Sequence, residues 1–151
     1  MSEPSDIKKP DLPNSILFVC NYNAVRSPMA ECLAKEFCGN KIYIDSFGVN
    51  KKLEKINPFT ISAMDEIGLD ISNHKPKHYE DLLDTSFDLI IALSSEAHEF
   101  ALTLTSSLSA EVEFWPTDDP TSVQGNRENI MSAFRDVRDH LSEKIKKRLI
   151  L

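Results

Sequence analysis

The residues with the most evident chemistry lie close together near the amino end of the chain. Cys20 is followed six residues later by Arg26 and then by Ser27, which gives the spacing C-x5-R-S. A loop of this length can turn successive backbone N–H groups inward and form a concave site for a tetrahedral oxyanion. Arg26 adds a planar guanidinium that can hold two phosphate oxygens at once. The spacing therefore predicts a phosphate-binding loop made of Asn21, Tyr22, Asn23, Ala24, Val25, Arg26 and Ser27.

Cys20 is the predicted nucleophile of this loop. A cysteine beside an arginine and a helix amino terminus is expected to be a thiolate at neutral pH, and the thiolate is the form that attacks phosphorus. Ser27 can donate a hydrogen bond to the sulfur or to the loop. Asn23 is one of the few non-glycine residues that tolerate the left-handed backbone that a tight loop requires. The alternative interpretation is a buried structural cysteine with an unrelated surface arginine.

Phosphoryl transfer to a cysteine also requires an acid, because an alkoxide or a phenolate is a poor leaving group. The candidate is Asp119, which lies with Asp118 in the segment 115–120 after the fourth predicted strand. Pro120 restricts the backbone of Asp119 and so favours one direction for its carboxylate. By itself, this segment is equally typical of an aspartate-rich turn.

The elements that must position these residues alternate along the chain. Apolar patterns predict strands at 16–19, 41–47, 87–93 and 112–115. They predict helices at 58–67, 78–83, 96–104 and 126–149, and an earlier one that Ser27 caps, Pro28 opens and Gly39 ends. This alternation predicts a three-layer α/β fold, a four-stranded parallel sheet with helices on both faces. Ligands of such sheets bind at the carboxyl ends of the strands, where Cys20 and Asp119 would both lie.

Composition limits the other possibilities. The 151 residues suit a disordered tail at 1–14 and a single domain at 15–151. A formal net charge of −7 argues against nucleic-acid binding. The longest apolar runs have five residues, far fewer than the roughly 20 that span a membrane. Three cysteines are too few and odd in number for a disulfide framework, so a reducing, cytoplasmic setting is expected.

The loop, the following Pro28-Met29-Ala30-Glu31 and the late Asp119-Pro120 resemble the low-molecular-weight protein tyrosine phosphatases and their arsenate reductase relatives. The resemblance covers about residues 15–151. It implies that Cys20 is the nucleophile, that Arg26 binds phosphate and stabilises the transition state, and that Asp119 is the general acid and later the base. Asn23 and Ser27 would organise the loop.

The implied activity is hydrolysis of a phosphomonoester through a cysteinyl-phosphate, without a metal or an organic cofactor. The substrate would be a phosphorylated protein, with phosphotyrosine as the first candidate, or a small phosphomonoester. The oligomeric state is left open. Two alternatives remain: an arsenate reductase that uses an external small thiol, and a phospho-ligand binding module without turnover. Thioredoxin-coupled reductases use late cysteines, and none follows Cys38 in this sequence.

Three departures from the family pattern leave the preference for phosphotyrosine open. Val25 stands where many members have a second loop cysteine. Thr121 and Ser122 stand where a tyrosine pair is common, and Tyr22 occupies a loop position that is usually small.

Other chemically interesting side chains receive structural interpretations. Cys32 and Cys38 on the first helix are expected to be buried structural cysteines. His74 and His78 have no cysteine partners and do not predict a zinc site. Trp115 is expected either to wall the pocket or to cover the edge of the sheet.

Overall fold

The structure, a computed structural model, describes residues 12–50, 53–82, 86–105 and 109–149. Most of the predicted tail, residues 1–11, lies outside the described part of the chain. The strands are β1 (Ser15–Cys20), β2 (Tyr43–Gly48), β3 (Leu89–Ala92) and β4 (Glu111–Phe114). The helices are α1 (Arg26–Cys38), α2 (Pro58–Asp65), α3 (Ser95–Leu104) and α4 (Arg127–Leu149), and short 3₁₀ turns occupy Tyr79–Asp81 and Pro120–Ser122.

The four strands form one parallel sheet in the order β2-β1-β3-β4. The register pairs Cys20 with Gly48, and Val19 with both Phe47 and Ala92. All six residues of β1 are buried, as expected for a central strand with helices over both faces. The carboxyl end of every strand therefore lies at one edge, and Cys20 is at the middle of that edge.

The two faces of the sheet carry separate cores, because successive strand side chains point in opposite directions. Ile16 and Phe18 pack with residues of α1, α2 and α4. Leu17 and Val19 pack on the other face with residues of α3. The predicted three-layer α/β fold is thus confirmed. In the described residues, no helix is both long and apolar enough to cross a membrane.

The start of α1 corrects the prediction. The N-cap is Val25, which makes no side-chain capping hydrogen bond, and the helix begins at Arg26 rather than after Ser27. Pro28 is consequently the third helical residue. It is tolerated there because the first N–H groups of a helix have no intrahelical acceptor. Ser27 does not cap the helix because its hydroxyl bonds to Cys20 and Asn23.

Other element boundaries also differ from the prediction. Strand β2 begins at Tyr43 and extends to Gly48, whereas the predicted range was 41–47. Helix α2 ends at Asp65 rather than at residue 67, and Gly68 follows with a φ of 79° that no α-helix contains. The predicted helix at 78–83 is a 3₁₀ turn over Tyr79–Asp81, and residue 83 lies outside the described part. Strands β3 and β4 and helices α3 and α4 differ by one or two residues at their ends.

Candidate active site

The sulfur of Cys20 lies between two hydrogen-bonding groups of the loop that follows β1. Cys20 is 2% exposed. Its Sγ is 2.8 Å from the hydroxyl oxygen of Ser27 and accepts the backbone N–H of Asn23 at 3.4 Å. The parallel sheet puts this sulfur at its carboxyl edge, and the loop leads from it directly into α1.

Asn23 holds the loop in shape with both its backbone and its side chain. Its φ of 58° is left-handed, as the sequence predicts. The side-chain amide donates to the hydroxyls of Ser27 and Ser46, each at 2.8 Å. Its oxygen accepts the backbone N–H of Lys77 at 2.9 Å and lies 2.9 Å from Nε2 of His74. Both hydrogens and both lone pairs of the amide thus have partners.

A cluster of charged side chains surrounds two hydrogen-bond partners of Asn23, Ser46 and Lys77. Ser46 donates from its hydroxyl to Glu31 at 2.5 Å, and Glu31 forms an ion pair with Lys35 at 2.5 Å. Lys77 forms an ion pair with Asp45 at 2.6 Å. Burial opposes the charge on Lys77, but its hydrogen bond to Asp45 and the nearby Glu31 outweigh burial and raise the pKa of the ammonium.

Burial lowers the pKa of His74, so this imidazole is neutral at pH 7. Because the Asn23 oxygen is an acceptor, neutral His74 donates from Nε2. The sequence alone predicts no role at the loop for His74, Lys77, Glu31 or Ser46. Their separations in the chain carry no local pattern, and Glu31 alone stands out, because it belongs to the segment 28–31 that directly follows the loop. Among the described residues, no cluster of three His, Cys, Asp or Glu side chains could hold a metal ion.

Gly48 allows β2 to approach the loop closely. A Cβ at this position would lie 2.5 Å from the carbonyl carbon of Tyr22 and 2.7 Å from the backbone nitrogen of Asn23. Beyond Gly48, the backbone of Val49 donates to the carbonyl of Cys20 at 3.0 Å. The loop is therefore in direct backbone contact with the end of β2.

Arg26 connects the loop to the segment that contains the candidate acid. Its Nη1 donates to the backbone carbonyl of Thr117 at 3.0 Å, and both residues are 8% exposed. Two residues after Thr117, one carboxylate oxygen of Asp119 accepts the backbone N–H of Thr121 at 2.9 Å and its hydroxyl at 2.6 Å. These bonds fix the direction of the Asp119 carboxylate.

The structure brings Cys20, Arg26 and Asp119 to one cavity of about 520 Å³. Tyr22, Ala24 and Val25 of the loop also line it. Asp118 faces a neighbouring cavity, between its segment and α4. The side chain of Asn21 is engaged away from the cavity, where it accepts the hydroxyl of Ser94 at 2.5 Å and donates to Glu96 at 3.2 Å. Asn21 can therefore contribute to an anion site through its backbone.

Cys32 and Cys38 are partly buried, so the expectation of fully buried cysteines is wrong. The buried stripe of α1 runs through Met29 and Leu33, and the two cysteines lie beside it and pack against the core. Burial, reinforced by Glu31, raises the pKa of Cys32 to about 11, and burial also raises the pKa of Cys38.

Trp115 covers the sheet and does not contribute to the lining of the Cys20 cavity. It is 7% exposed and belongs to the core on the α4 side. Its ring meets Phe18 edge-on, with the centroids 6.3 Å apart. The structure therefore supports the interpretation that Trp115 covers the edge of the sheet, rather than the one that it forms a wall of the pocket.

Comparison with known proteins points to one family. The model of the family described as low molecular weight phosphotyrosine protein phosphatase matches residues 15–149. The arsenate reductase of Bacillus subtilis (strain 168) is 31% identical over 131 residues, which cover 87% of this chain and 91% of that protein. The arsenate reductase of Halalkalibacterium halodurans is 33% identical over 131 residues, with the same two coverages.

Solved structures show the same architecture. An arsenate reductase in the phosphate binding state superposes with a TM-score of 0.70 at 27% identity, over 90% of this chain and 96% of that one. The tyrosine phosphatase Wzb from Escherichia coli K30, in complex with sulphate, gives a TM-score of 0.70 over 92% and 98% of the two chains. Because the sequence identity to Wzb is 19%, this similarity shows the fold alone.

Proposed function

The chain belongs to the low molecular weight phosphotyrosine protein phosphatase family, and from that premise we propose that it hydrolyses phosphomonoesters through Cys20. The observation that carries the proposal is the cavity lined by Cys20, Arg26 and Asp119. These three side chains supply a nucleophile, a phosphate-binding cation and a proton donor, which are the groups that a double displacement needs.

In the first displacement, the thiolate of Cys20 attacks phosphorus, an S–P bond forms and the P–O bond to the leaving group breaks. Asp119, as the carboxylic acid, gives its proton to the departing oxygen. The guanidinium of Arg26 and the inward backbone N–H groups of the loop stabilise the three equatorial oxygens. The products of this step are an alcohol or a phenol and the cysteinyl-phosphate.

In the second displacement, the carboxylate of Asp119 takes a proton from water, and the resulting hydroxide attacks phosphorus. The S–P bond breaks, orthophosphate leaves and the Cys20 thiolate is restored. The hydroxyl of Ser27, 2.8 Å from the sulfur, can donate a hydrogen bond to it as negative charge returns. At the end of the cycle, Cys20 is again a thiolate and Asp119 is again a carboxylic acid. The cycle therefore needs no reactant besides the phosphomonoester and water.

We propose phosphotyrosine on a protein as the first substrate to test, because the family is described by that activity. The proposal also includes a reducing compartment, the cytoplasm, since all three cysteines are free thiols and Cys20 must stay reduced to act.

A second candidate function is the reduction of arsenate, favoured by the relatives that are 31% and 33% identical and are named arsenate reductases. Arsenate has the shape and charge of phosphate, so the same loop would bind it. Two electrons would have to come from an external small thiol. Burial keeps Cys32 and Cys38 largely protonated at neutral pH, and the sequence contains no later cysteine.

One preparation tests both functions. Hydrolysis of p-nitrophenyl phosphate and reduction of arsenate in the presence of a small thiol are measured side by side, with Cys20→Ser as the control. Hydrolysis that Cys20→Ser abolishes, while phosphate still binds, supports the phosphatase. Arsenate reduction without hydrolysis supports the second candidate. Phosphate binding without either reaction would contradict both and favour the binding module.

A further inference from the structure

Tyr22 presents an exposed aromatic ring two residues after the candidate nucleophile. It is 46% exposed and lines the same cavity as Cys20 and Arg26. The other two tyrosines each pair with a phenylalanine ring: Tyr43 stacks on Phe87 with the centroids 5.7 Å apart, and Tyr79 packs against Phe47 at 5.6 Å. Within the described ranges, the ring of Tyr22 makes no such pair. Its apolar surface is therefore available to a ligand in the cavity.

The backbone that carries this ring is held in place. The carbonyl carbon of Tyr22 lies so close to Gly48 that a Cβ there would come within 2.5 Å. On one side of Tyr22, the carbonyl of Asn21 accepts the backbone N–H of Asn50 at 2.8 Å. On the other side, Asn23 is fixed by its four side-chain hydrogen bonds. A ring on a fixed backbone loses little conformational entropy when a ligand covers it.

The wall of the cavity that faces the loop contains an apolar part without aromatic rings. Leu53, Ile56 and Pro58 form this part, and Leu53 is 47% exposed. The polar side chains beside it are Lys55, Asn57 and Thr121. Among the described residues that line the cavity, Tyr22 alone carries an aromatic ring. A phosphate held between Cys20 and Arg26 would leave the organic part of its ester in this apolar space, within reach of that ring.

We propose that Tyr22 packs against the aryl group of the substrate and makes the site selective for aryl over alkyl phosphomonoesters. This inference rests on the proposed phosphatase function, since it assigns the phosphate to Cys20 and Arg26. Tyr22 takes no part in bond making or breaking. Its side chain contributes affinity for the ring, so loss of that side chain should weaken aryl binding much more than phosphate binding.

Non-hydrolysable phosphonates test the assignment without turnover. Dissociation constants for phenylphosphonate and methylphosphonate are measured by calorimetry on the wild type, Tyr22→Ala and Tyr22→Phe. Ring–ring packing predicts that Tyr22→Ala weakens phenylphosphonate binding about 2- to 10-fold. Tyr22 belongs to the phosphate loop through its backbone, which the substitution keeps, so methylphosphonate affinity should fall much less than phenylphosphonate affinity. Tyr22→Phe should retain the preference for the phenyl compound. Tyr43→Ala is the matched control, because Tyr43 is similarly exposed but starts β2, at the opposite edge of the sheet.

The proposed role of Tyr22 and the proposed phosphatase function can fail separately. Tyr22→Leu keeps apolar bulk without a ring. The role of Tyr22 would be overturned if this variant lost affinity for both phosphonates equally. It would also be overturned if this variant kept the full preference for phenylphosphonate. If Tyr22→Ala does not fold, Tyr22→Leu and Tyr22→Phe still give the comparison. A wild type that prefers phenylphosphonate but does not hydrolyse p-nitrophenyl phosphate would overturn the proposed function and support the role of Tyr22. Hydrolysis without a phenyl preference would overturn the role of Tyr22 alone.

Discussion

The hydroxyl of Ser27 connects the sulfur of Cys20 to the side-chain amide of Asn23. Its oxygen lies 2.8 Å from the sulfur, and that distance alone leaves the direction of the bond open. The amide N–H of Asn23 donates to the same oxygen at 2.8 Å and occupies one of its two lone pairs. A thiolate sulfur has no proton to give, so in the proposed mechanism the Ser27 hydroxyl is the donor, and its bond to the charged sulfur is the stronger for that charge.

This direction predicts the effect of Ser27→Ala on the rate. In the proposed mechanism, the sulfur is the leaving group when the cysteinyl-phosphate is hydrolysed, so the second displacement should slow most. Hydrogen bonds to charged groups contribute about 1.5–3 kcal/mol, which corresponds to a loss of about 10- to 100-fold in kcat. The measurement is rapid-quench kinetics with p-nitrophenyl phosphate, in which a burst of p-nitrophenol should appear. Ser62→Ala, at a half-buried position of α2, serves as the control, and an unchanged kcat in Ser27→Ala would contradict the bond direction.

Alkylation should distinguish Cys20 from the two cysteines of α1. Burial raises the pKa of Cys32 to about 11 and also raises that of Cys38, so both are protonated thiols at pH 7. Cys20 has two hydrogen-bond donors at its sulfur and lines a cavity. Iodoacetate at pH 7 should therefore label Cys20 first, and bound phosphate should slow that labelling.

The rate at which iodoacetate labels Cys32 should also increase with pH. A raised pKa means that the Cys32 thiolate appears only as the pH rises toward about 11, so its labelling rate should increase about tenfold per pH unit below that value. Peptide mass mapping at pH 7, 8 and 9 measures it. Labelling of Cys32 ahead of Cys20 at pH 7 would count against Cys20 as the nucleophile.

The strand, loop and helix that contain residues 15–38 could be predicted from the sequence because the information that specifies them is local. The spacing from Cys20 to Ser27 and the buried run before it specify a strand, a loop and a helix without knowledge of any distant contact. The contact of Ser27 with the sulfur and the loop was predicted as well, but the helix cap also predicted for it is wrong. Capping preferences describe a hydroxyl without competing partners, whereas this hydroxyl has two, Cys20 and Asn23.

The contacts between Asn23 and distant parts of the chain could not be predicted in the same way. Asn23 meets His74 and the backbone of Lys77, which are 51 and 54 residues away along the chain. No periodicity relates such positions, and only the approach of β2 and the segment after α2 brings them together. Neither side chain belongs to a spacing pattern of its own. Tertiary contacts of this kind require the fold before they can be assigned.

Substitution of Gly48 should damage the loop more than substitution of Gly68. An alanine Cβ at Gly48 would collide with the backbone of Tyr22 and Asn23, and overpacking of this kind costs about 1–3 kcal/mol. Gly68→Ala meets no atom within 4 Å and is strained only by its φ of 79°, at a cost of about 1–2 kcal/mol. Both variants should lower the free energy of unfolding in urea. Only Gly48→Ala should also lower kcat/KM, and equal kcat/KM values would contradict the close contact.

Asp119 and Asp118 are adjacent carboxylates that differ in their access to the Cys20 cavity. Asp119 lines that cavity and also the neighbouring one, whereas of these two cavities Asp118 lines the neighbouring one alone. General acid catalysis contributes about 10²- to 10⁴-fold, and it matters most when the leaving oxygen is basic. Asp119→Asn, whose amide oxygen can still accept from Thr121, should therefore slow phenyl phosphate hydrolysis far more than p-nitrophenyl phosphate hydrolysis. It should also flatten the limb of the pH–rate profile that reports the protonated acid.

Asp118→Asn is the matched control for this prediction, since it makes the same chemical change one residue away. Its rates with both esters should stay close to those of the wild type. If the two variants show the reverse order, the acid is Asp118, and the carboxylate reaches the leaving group from the neighbouring cavity. If neither variant makes the rate depend on the leaving group, this segment does not supply the proton. The hydrolase mechanism would then lack its acid, although Cys20 and Arg26 could still bind phosphate.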